Sequence, residues 1–181
     1  MSKTEENLKT SFAGESQARN KYTYFAKVAR NEGYDYIAKI FEETANNERQ
    51  HAKEEFKLLK EIGETKENLK AAIAGENFEH TQMYPSMQKD AEEEGNTEAA
   101  KLFSEIAKVE KEHEERYKKL LEMIEKGNVY KREKSIRWKC SECGHIHEGT
   151  EAPEACPCCK HPQKHFEPEC MCFQNNCTIC N

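Results

Sequence analysis

Cysteine is missing from residues 1–139, and all nine cysteines of the chain fall between Cys140 and Cys180. Proline is almost as scarce at first: only Pro85 precedes Lys126, whereas Pro153, Pro157, Pro162 and Pro168 crowd a short stretch beyond it. These absences leave a long segment free to be helical and confine loop-rich, sulfur-rich chemistry to the end. No apolar run approaches the ~20 residues that span a bilayer, which excludes a transmembrane helix. Excess basic charge is absent too. At a formal net charge of −6 the chain lacks the footprint of a nucleic-acid binder. The opening Met1-Ser2-Lys3-Thr4-Glu5-Glu6 has no apolar core of a signal peptide, so a cytosolic location is expected. In a reducing compartment the cysteines read as metal ligands or redox groups before structural disulfides.

Charged residues make up 34% of the chain and the mean hydropathy is −1.04, values that alone would permit disorder. Periodicity opposes that reading. Gly127-Asn128 is a helix-stop signal. The expected organisation is a helical domain over 1–127, a linker over 128–136 containing Lys131-Arg132-Glu133-Lys134, a four-cysteine domain over 137–168 and a cysteine-rich tail over 169–181.

The helical part is an internal duplication. A shift of 62 places Glu32-Gly33 on Glu94-Gly95 and Ala38-Lys39-Ile40-Phe41 on Ala100-Lys101-Leu102-Phe103. A shift of 61 places Ala13-Gly14-Glu15 on Ala74-Gly75-Glu76. A unit of about 60 residues suits a helical hairpin, and two hairpins make a four-helix bundle. Each segment carries an apolar stripe at three-or-four spacing, such as Ile37, Ile40, Phe41 and Thr44 in the second and Ala99, Leu102, Phe103 and Ile106 in the fourth. Pro85 lies inside the third stripe and should kink that helix or open its hydrogen-bond ladder.

Glutamates interrupt every stripe at mid-length. An ionised carboxylate is costly to remove from water unless a positive partner meets it, so four such interruptions at one height imply a shared cation. The second and fourth segments add a histidine three residues on, in Glu48…His51 and Glu110…His113, which places carboxylate and imidazole side by side. Two Glu-x-x-His helices plus a glutamate from each other helix, here Glu15 and Glu76, are the ligand set of di-iron and di-manganese carboxylate bundles. A single Glu-x-x-His would carry little weight, since Glu142…His145 fits it as well. The duplication is what carries the reading. The third segment has one further core-facing acid, Glu79, where the first has Ala18. An extra hard oxygen ligand favours a ferric ion.

Cys140-Ser141-Glu142-Cys143 and Cys156-Pro157-Cys158-Cys159 form two Cys-x-x-Cys knuckles. Four thiolates at that spacing make a tetrahedral site for zinc or for a single iron, and the spacing does not choose between them. Cys158 occupies the spacer of the second knuckle, so Cys156 and Cys159 are its expected ligands, and Trp138 and Phe166 are expected to pack around the site.

These motifs, with Met83-Tyr84-Pro85 and the His161-Pro162 that follows the second knuckle, make the chain resemble rubrerythrin over roughly residues 3–168. The resemblance implies a mainly α, ferritin-like four-helix bundle followed by a small rubredoxin-like metal-binding β/loop domain. It implies iron ligands Glu15, Glu48, His51, Glu76, Glu79, Glu110 and His113, with Tyr22 and Tyr84 near enough to bond the carboxylates or donate protons. It selects iron over zinc for Cys140, Cys143, Cys156 and Cys159. It also implies reduction of hydrogen peroxide to water, an external electron donor such as a rubredoxin or an NAD(P)H-dependent reductase, and a homodimer. Spacing alone leaves Tyr22 and Tyr84 equally suited to core packing. A ferroxidase or iron-handling bundle with a structural zinc domain is the competing reading, though neither activity requires an attached electron carrier. The tail cysteines Cys170, Cys172, Cys177 and Cys180 depart from the family pattern and have no assigned role, nor has Cys158.

Overall fold

The computed structural model describes residues 2–170. Four long helical runs are followed by a three-stranded sheet, the mainly α arrangement with a small β/loop domain that the sequence suggested. Contacts divide the chain into two compact units, Met1–Glu64 and Thr65–Asn181. Among the described residues no helix is long and apolar enough to cross a membrane.

The first unit is a hairpin of α1 (Lys3–Asn31) and α2 (Asp35–Leu58). Ser2 caps α1 by accepting a hydrogen bond from the Glu5 N–H, and Glu5 and Glu6 sit in the first turn, where the helix dipole favours negative charge. The seam of α2 is alanine at every seventh residue, Ala38, Ala45 and Ala52, all buried. Small residues there let the α1 backbone approach. Phe12 stacks on Phe56 at 4.8 Å, and Tyr22 and Phe25 pack against Phe41. The larger stripe residues do not all follow the expected burial: Phe25, Ile37 and Ile40 remain nearly half exposed. A two-helix layer covers only one side of each stripe.

The second unit begins with α3 (Thr65–Phe78), a five-residue π turn (Glu79–Met83) and α4 (Tyr84–Glu93), and returns along α5 (Thr97–Glu125). The ladder opens just before Pro85, as expected. Pro85 has no N–H and its ring would strike the Thr81 carbonyl in a regular helix. The widened turn avoids this, and the Tyr84 N–H bonds the Glu79 carbonyl five residues back.

All four helical runs end alike. Gly33, Gly95 and Gly127 have φ of 87°, 74° and 64°, and the next residue in each case bonds a carbonyl five residues back. These are Schellman stops, which need a left-handed residue. After α2 that place falls to Lys60, at φ 59°.

The sheet has the order β2-β1-β3, with β1 (Lys131–Cys140) antiparallel to β2 (Ile146–Glu151) and β3 (Phe166–Pro168). Much of the stretch read as a linker, 128–136, is therefore strand. Lys131 pairs with Glu151, a bulge separates that pair from Ile136, and the Arg132 guanidinium lies over the Trp138 ring at 5.2 Å. Charge there marks the bulged start of the central strand, not a loop. Trp138, Cys140, Ala152, Cys156 and Phe166 form the core of this domain.

The turn chemistry makes a paired prediction. Nothing lies within 4 Å of a Cβ added at Gly95, so Gly95→Ala meets only backbone strain. It should lower stability by about 1–2 kcal/mol. Lys60→Gly should raise it by up to about 1 kcal/mol, because relief of strain exceeds the added chain entropy. Denaturant midpoints followed by far-ultraviolet circular dichroism check both signs.

Candidate metal centres

Two like triads stand at mid-height of the helices. In the first unit Glu15 on α1 meets Glu48 and His51 on α2, with His51 Nδ1 at 2.9 Å from Glu48 Oε2 and 3.8 Å from Glu15 Oε1. In the second, Glu76 on α3 meets Glu110 and His113 on α5, with His113 Nδ1 at 2.6 Å from Glu110 Oε2 and 3.6 Å from Glu76 Oε2. Each triad gathers its ligand atoms within 4.8 Å of one another, close enough to share one metal ion. The i, i+3 spacing that suggested the pairs is what turns each imidazole Nδ1 onto its carboxylate.

Electrostatics favour a cation. Burial pushes the Glu15 carboxyl above its ordinary value, reinforced by the hydrogen bond and charge of Glu48. Glu76 is likewise raised, first by burial and then by Glu110, with Glu79 adding to it. Glu55 also repels Glu15; one of its oxygens accepts from the Ser11 hydroxyl, while Oε2 is buried without a partner. Crowded, partly desolvated acids with an orphaned oxygen beside them fit a divalent or trivalent ion held by hard oxygen and imidazole ligands.

Not every expected residue joins these clusters. Glu79 opens the π turn; it acts on Glu76 and Tyr84 through its charge but lies outside the triad. Burial pushes the Tyr84 phenol above its ordinary value, helped by the charges of Glu79, Glu110 and Glu76. It therefore keeps its proton among three acids. Tyr22 is found in aromatic company, 6.2 Å from Phe25 and 6.1 Å from Phe41. Glu142…His145, the stray motif match, forms no such site, and Glu142 bonds His165 Nδ1 at 3.0 Å.

One functional candidate had no forecast. Glu114, 5% exposed, accepts from Asn77 Nδ2 at 3.0 Å and pairs with His80 Nε2 at 3.0 Å and Lys118 Nζ at 2.7 Å. Hydrogen bonds from Lys118 and then His80 hold its carboxyl down to about 2, against the cost of burial. A signal was present in the repeat: the shift of 62 maps Ala38, Ala45 and Ala52 onto Ala100, Ala107 and Glu114, so an acid stands in a seam position.

The cysteine cluster joins Cys140, Cys143, Cys156 and Cys159. Cys140 Sγ lies 3.7 Å from Cys159 Sγ, and Cys143 Sγ 3.7 Å from Cys156 Sγ. A tetrahedron of metal–sulfur bonds near 2.3 Å has edges of about 3.8 Å, whereas a disulfide needs about 2.05 Å. The spacing fits four thiolates around one ion. Each knuckle closes on a left-handed residue, Gly144 at φ 76° and Lys160 at φ 64°. Burial opposes ionisation of Cys156, yet the backbone N–H groups of Cys159 and Cys158 draw its thiol down to about 6. For Cys143 the N–H of His145 favours the thiolate, but Cys159, burial, Cys156 and Cys140 push it up. Four thiolates cannot share this space without a cation. His161 Nδ1, 3.3 Å from Cys159 Sγ, is placed to donate to that sulfur. Trp138 and Phe166 pack around Cys140 and Cys156 as expected, and Cys158 is exposed outside the cluster. Of the tail cysteines, Cys172, Cys177 and Cys180 lie outside the described residues.

Comparison with known proteins agrees with this geometry. The family model of rubrerythrin matches residues 6–121, and that of the rubrerythrin rubredoxin-like domain matches residues 138–167. Rubrerythrin of Porphyromonas gingivalis is 50% identical over 92% of this chain and 90% of its own length. Rubrerythrin-1 of Clostridium acetobutylicum is 50% identical over 91% of this chain and 93% of its own. Rubrerythrin of Nitratidesulfovibrio vulgaris is 47% identical over 92% and 94%.

The raised carboxyls give a test without iron. In the metal-free protein Glu76 favours folding below its unfolded value of 4.5, and that contribution is lost as pH rises through its higher folded value. At pH 7 metal-free Glu76→Gln should therefore melt at or above the wild-type temperature. With ferrous iron added anaerobically the order should reverse. Thermal melts with and without metal read both signs.

Proposed function

The chain belongs to the rubrerythrin family, and from that premise we propose that it is a non-haem di-iron peroxidase. It would reduce hydrogen peroxide to water with electrons passed through its one-iron, four-cysteine centre. The observation that carries this reading is that two Glu–Glu–His triads and one four-thiol cluster occur in the same chain. Glu15, Glu48 and His51 supply one half of the di-iron ligand set; Glu76, Glu110 and His113 supply the other. Reduction of one peroxide to two waters consumes two electrons and two protons. When bound, the iron pair supplies the two electrons and Lewis acidity toward the oxygen–oxygen bond.

The remaining work falls to side chains. Glu79 is held near the second triad as a reserve carboxylate, able to add negative charge when the oxidised metals carry more positive charge. Tyr84, protonated among Glu79, Glu110 and Glu76, can hold a peroxide oxygen by hydrogen bonding and relay a proton. Tyr22 is the equivalent group in the other half of the repeat, packed between Phe25 and Phe41. The four sulfurs would hold an iron that changes charge by one electron at a time, and His161 would tune it by donating to the Cys159 sulfur. An external rubredoxin or NAD(P)H-dependent reductase would refill that centre. A cytoplasmic setting would keep the thiols reduced. A homodimer would cover the apolar side chains left open, among them Phe25, Ile37, Ile40 and Leu102.

Metal analysis with visible spectroscopy tests the proposal. The protein should bind two irons with its carboxylates and one with its cysteines, giving a red colour bleached by reductant and restored by peroxide. Zinc in the cysteine cluster of protein grown with ample iron, or ferrous protein inert to peroxide, would overturn it. Cys143→Ser should abolish the red chromophore and steady-state turnover, while chemically reduced protein still consumes about one peroxide per iron pair. Glu79→Ala should slow peroxide reduction with carboxylate-bound iron retained; unchanged turnover would remove Glu79 from the scheme.

A further inference from the structure

The two repeat shifts differ by one residue. Glu15 maps onto Glu76 at 61, whereas Glu32 maps onto Glu94 at 62. One residue has thus been inserted between Glu76 and Glu94, in a segment whose counterpart, α1, is an unbroken helix. The structure shows where it went. A single added residue is absorbed as a π turn, and the only one among the described residues is Glu79–Met83. Glu79, the acid without an equivalent in α1, begins that turn.

A π turn makes poorer hydrogen bonds than the α-helix around it and persists where something outside the helix holds it. Pro85 opens the ladder here from within the helix, and the group outside it that holds the widened turn is Glu114 of α5. Asn77, just before the turn, and His80, within it, both converge on its carboxylate at 3.0 Å, so Glu79 is bracketed on either side. Thr81 contributes by donating its hydroxyl to the Asn77 carbonyl at 2.6 Å. Lys118 closes the buried network from one turn along α5. The first hairpin has none of this. Ser16 and Arg19 stand for Asn77 and His80, and Ala52 and Phe56 for Glu114 and Lys118. The clamp and the inserted residue occur together in one half of the duplication and are absent together from the other.

We propose that Glu114 is a positioning residue: through Asn77 and His80 it clamps the π turn and thereby holds Glu79 at the metal-binding face. The consequence for Glu79 rests on the di-iron reading above; the clamp itself does not. Glu114 touches neither substrate nor metal in this role.

Two measurements separate the parts. Amide hydrogen exchange on metal-free protein reads the clamp directly. Glu114→Ala should speed exchange over residues 78–84 by on the order of tenfold or more, while residues 16–22 of α1 stay unchanged. Glu114→Gln, which still offers an acceptor and a donor, should recover most of the protection. If Glu114→Ala does not fold, Asn77→Ala and His80→Gln each remove one arm and should show the same local effect. Exchange over 78–84 at wild-type rates in all of these variants would overturn the proposal. The second measurement is competition by a chelator for the oxidised iron of full-length protein whose cysteine cluster already holds zinc. Glu114→Ala should weaken binding on the order of tenfold in the wild-type background and have no further effect in Glu79→Ala. Equal weakening in both backgrounds would show that Glu114 does not act through Glu79. Wild-type protein that binds no iron would instead defeat the di-iron reading and leave the exchange result to decide the clamp.

Discussion

Glu15 beside Glu48, and Glu76 beside Glu110, place like charges together on helix faces that water only partly reaches. Burial and the neighbouring acid raise the proton affinity of Glu15 and of Glu76, and this crowding would, left alone, weaken the helices that carry it. Each histidine adds a neutral or singly charged partner, which softens the repulsion without ending it. A metal ion ends it. The chain accepts a standing electrostatic cost in its metal-free state, and this ties assembly of the helical part to acquisition of the metal. The thiol cluster repeats the arrangement in softer chemistry, with four sulfurs at the edge length of a tetrahedron.

Duplication explains why the two triads are so alike, and departure from it explains where they differ. Both hairpins turn through the same glycine stop, and α2 and α5 carry Glu-x-x-His at equivalent places. Only the second half carries the π turn, the added acid and the phenol pressed among carboxylates. A symmetric pair of metal positions would respond identically to a change of charge. The asymmetric half gives one triad a nearby acid, Glu79, that the other lacks.

Much of this was legible in residue order because the spacing rules are local. Glu48 with His51, and Glu110 with His113, lie three apart, and helical geometry places them together whatever surrounds them. The cysteine knuckles read equally well, since two residues between thiols leave few ways to close the turn. The insertion was visible as a change of shift, and Pro85 marked its neighbourhood. What sequence did not disclose depends on contacts between elements. Glu114 is one of many acids in α5, and only packing of α5 against α3 and the π turn shows it buried and bracketed. The strand over Lys131–Cys140 was obscured for a different reason: its first residues are charged, lie beside a bulge and precede the stretch that β3 pairs with, and a charge run there resembles a linker. The apolar stripes were read correctly as stripes, but periodicity cannot say what covers them.

The chain has a single tryptophan, and Trp138 is fully buried against Cys140 and Cys156, with its indole N–H donated to the Gly149 carbonyl at 3.0 Å. Indole emission from this protein is therefore a local reporter on the sulfur-bound ion and the strands around it. It carries almost no information about the helices, which dominate circular dichroism. The two optical signals follow different parts of the molecule, and coincidence of their transitions would be a finding about cooperativity, not a default assumption.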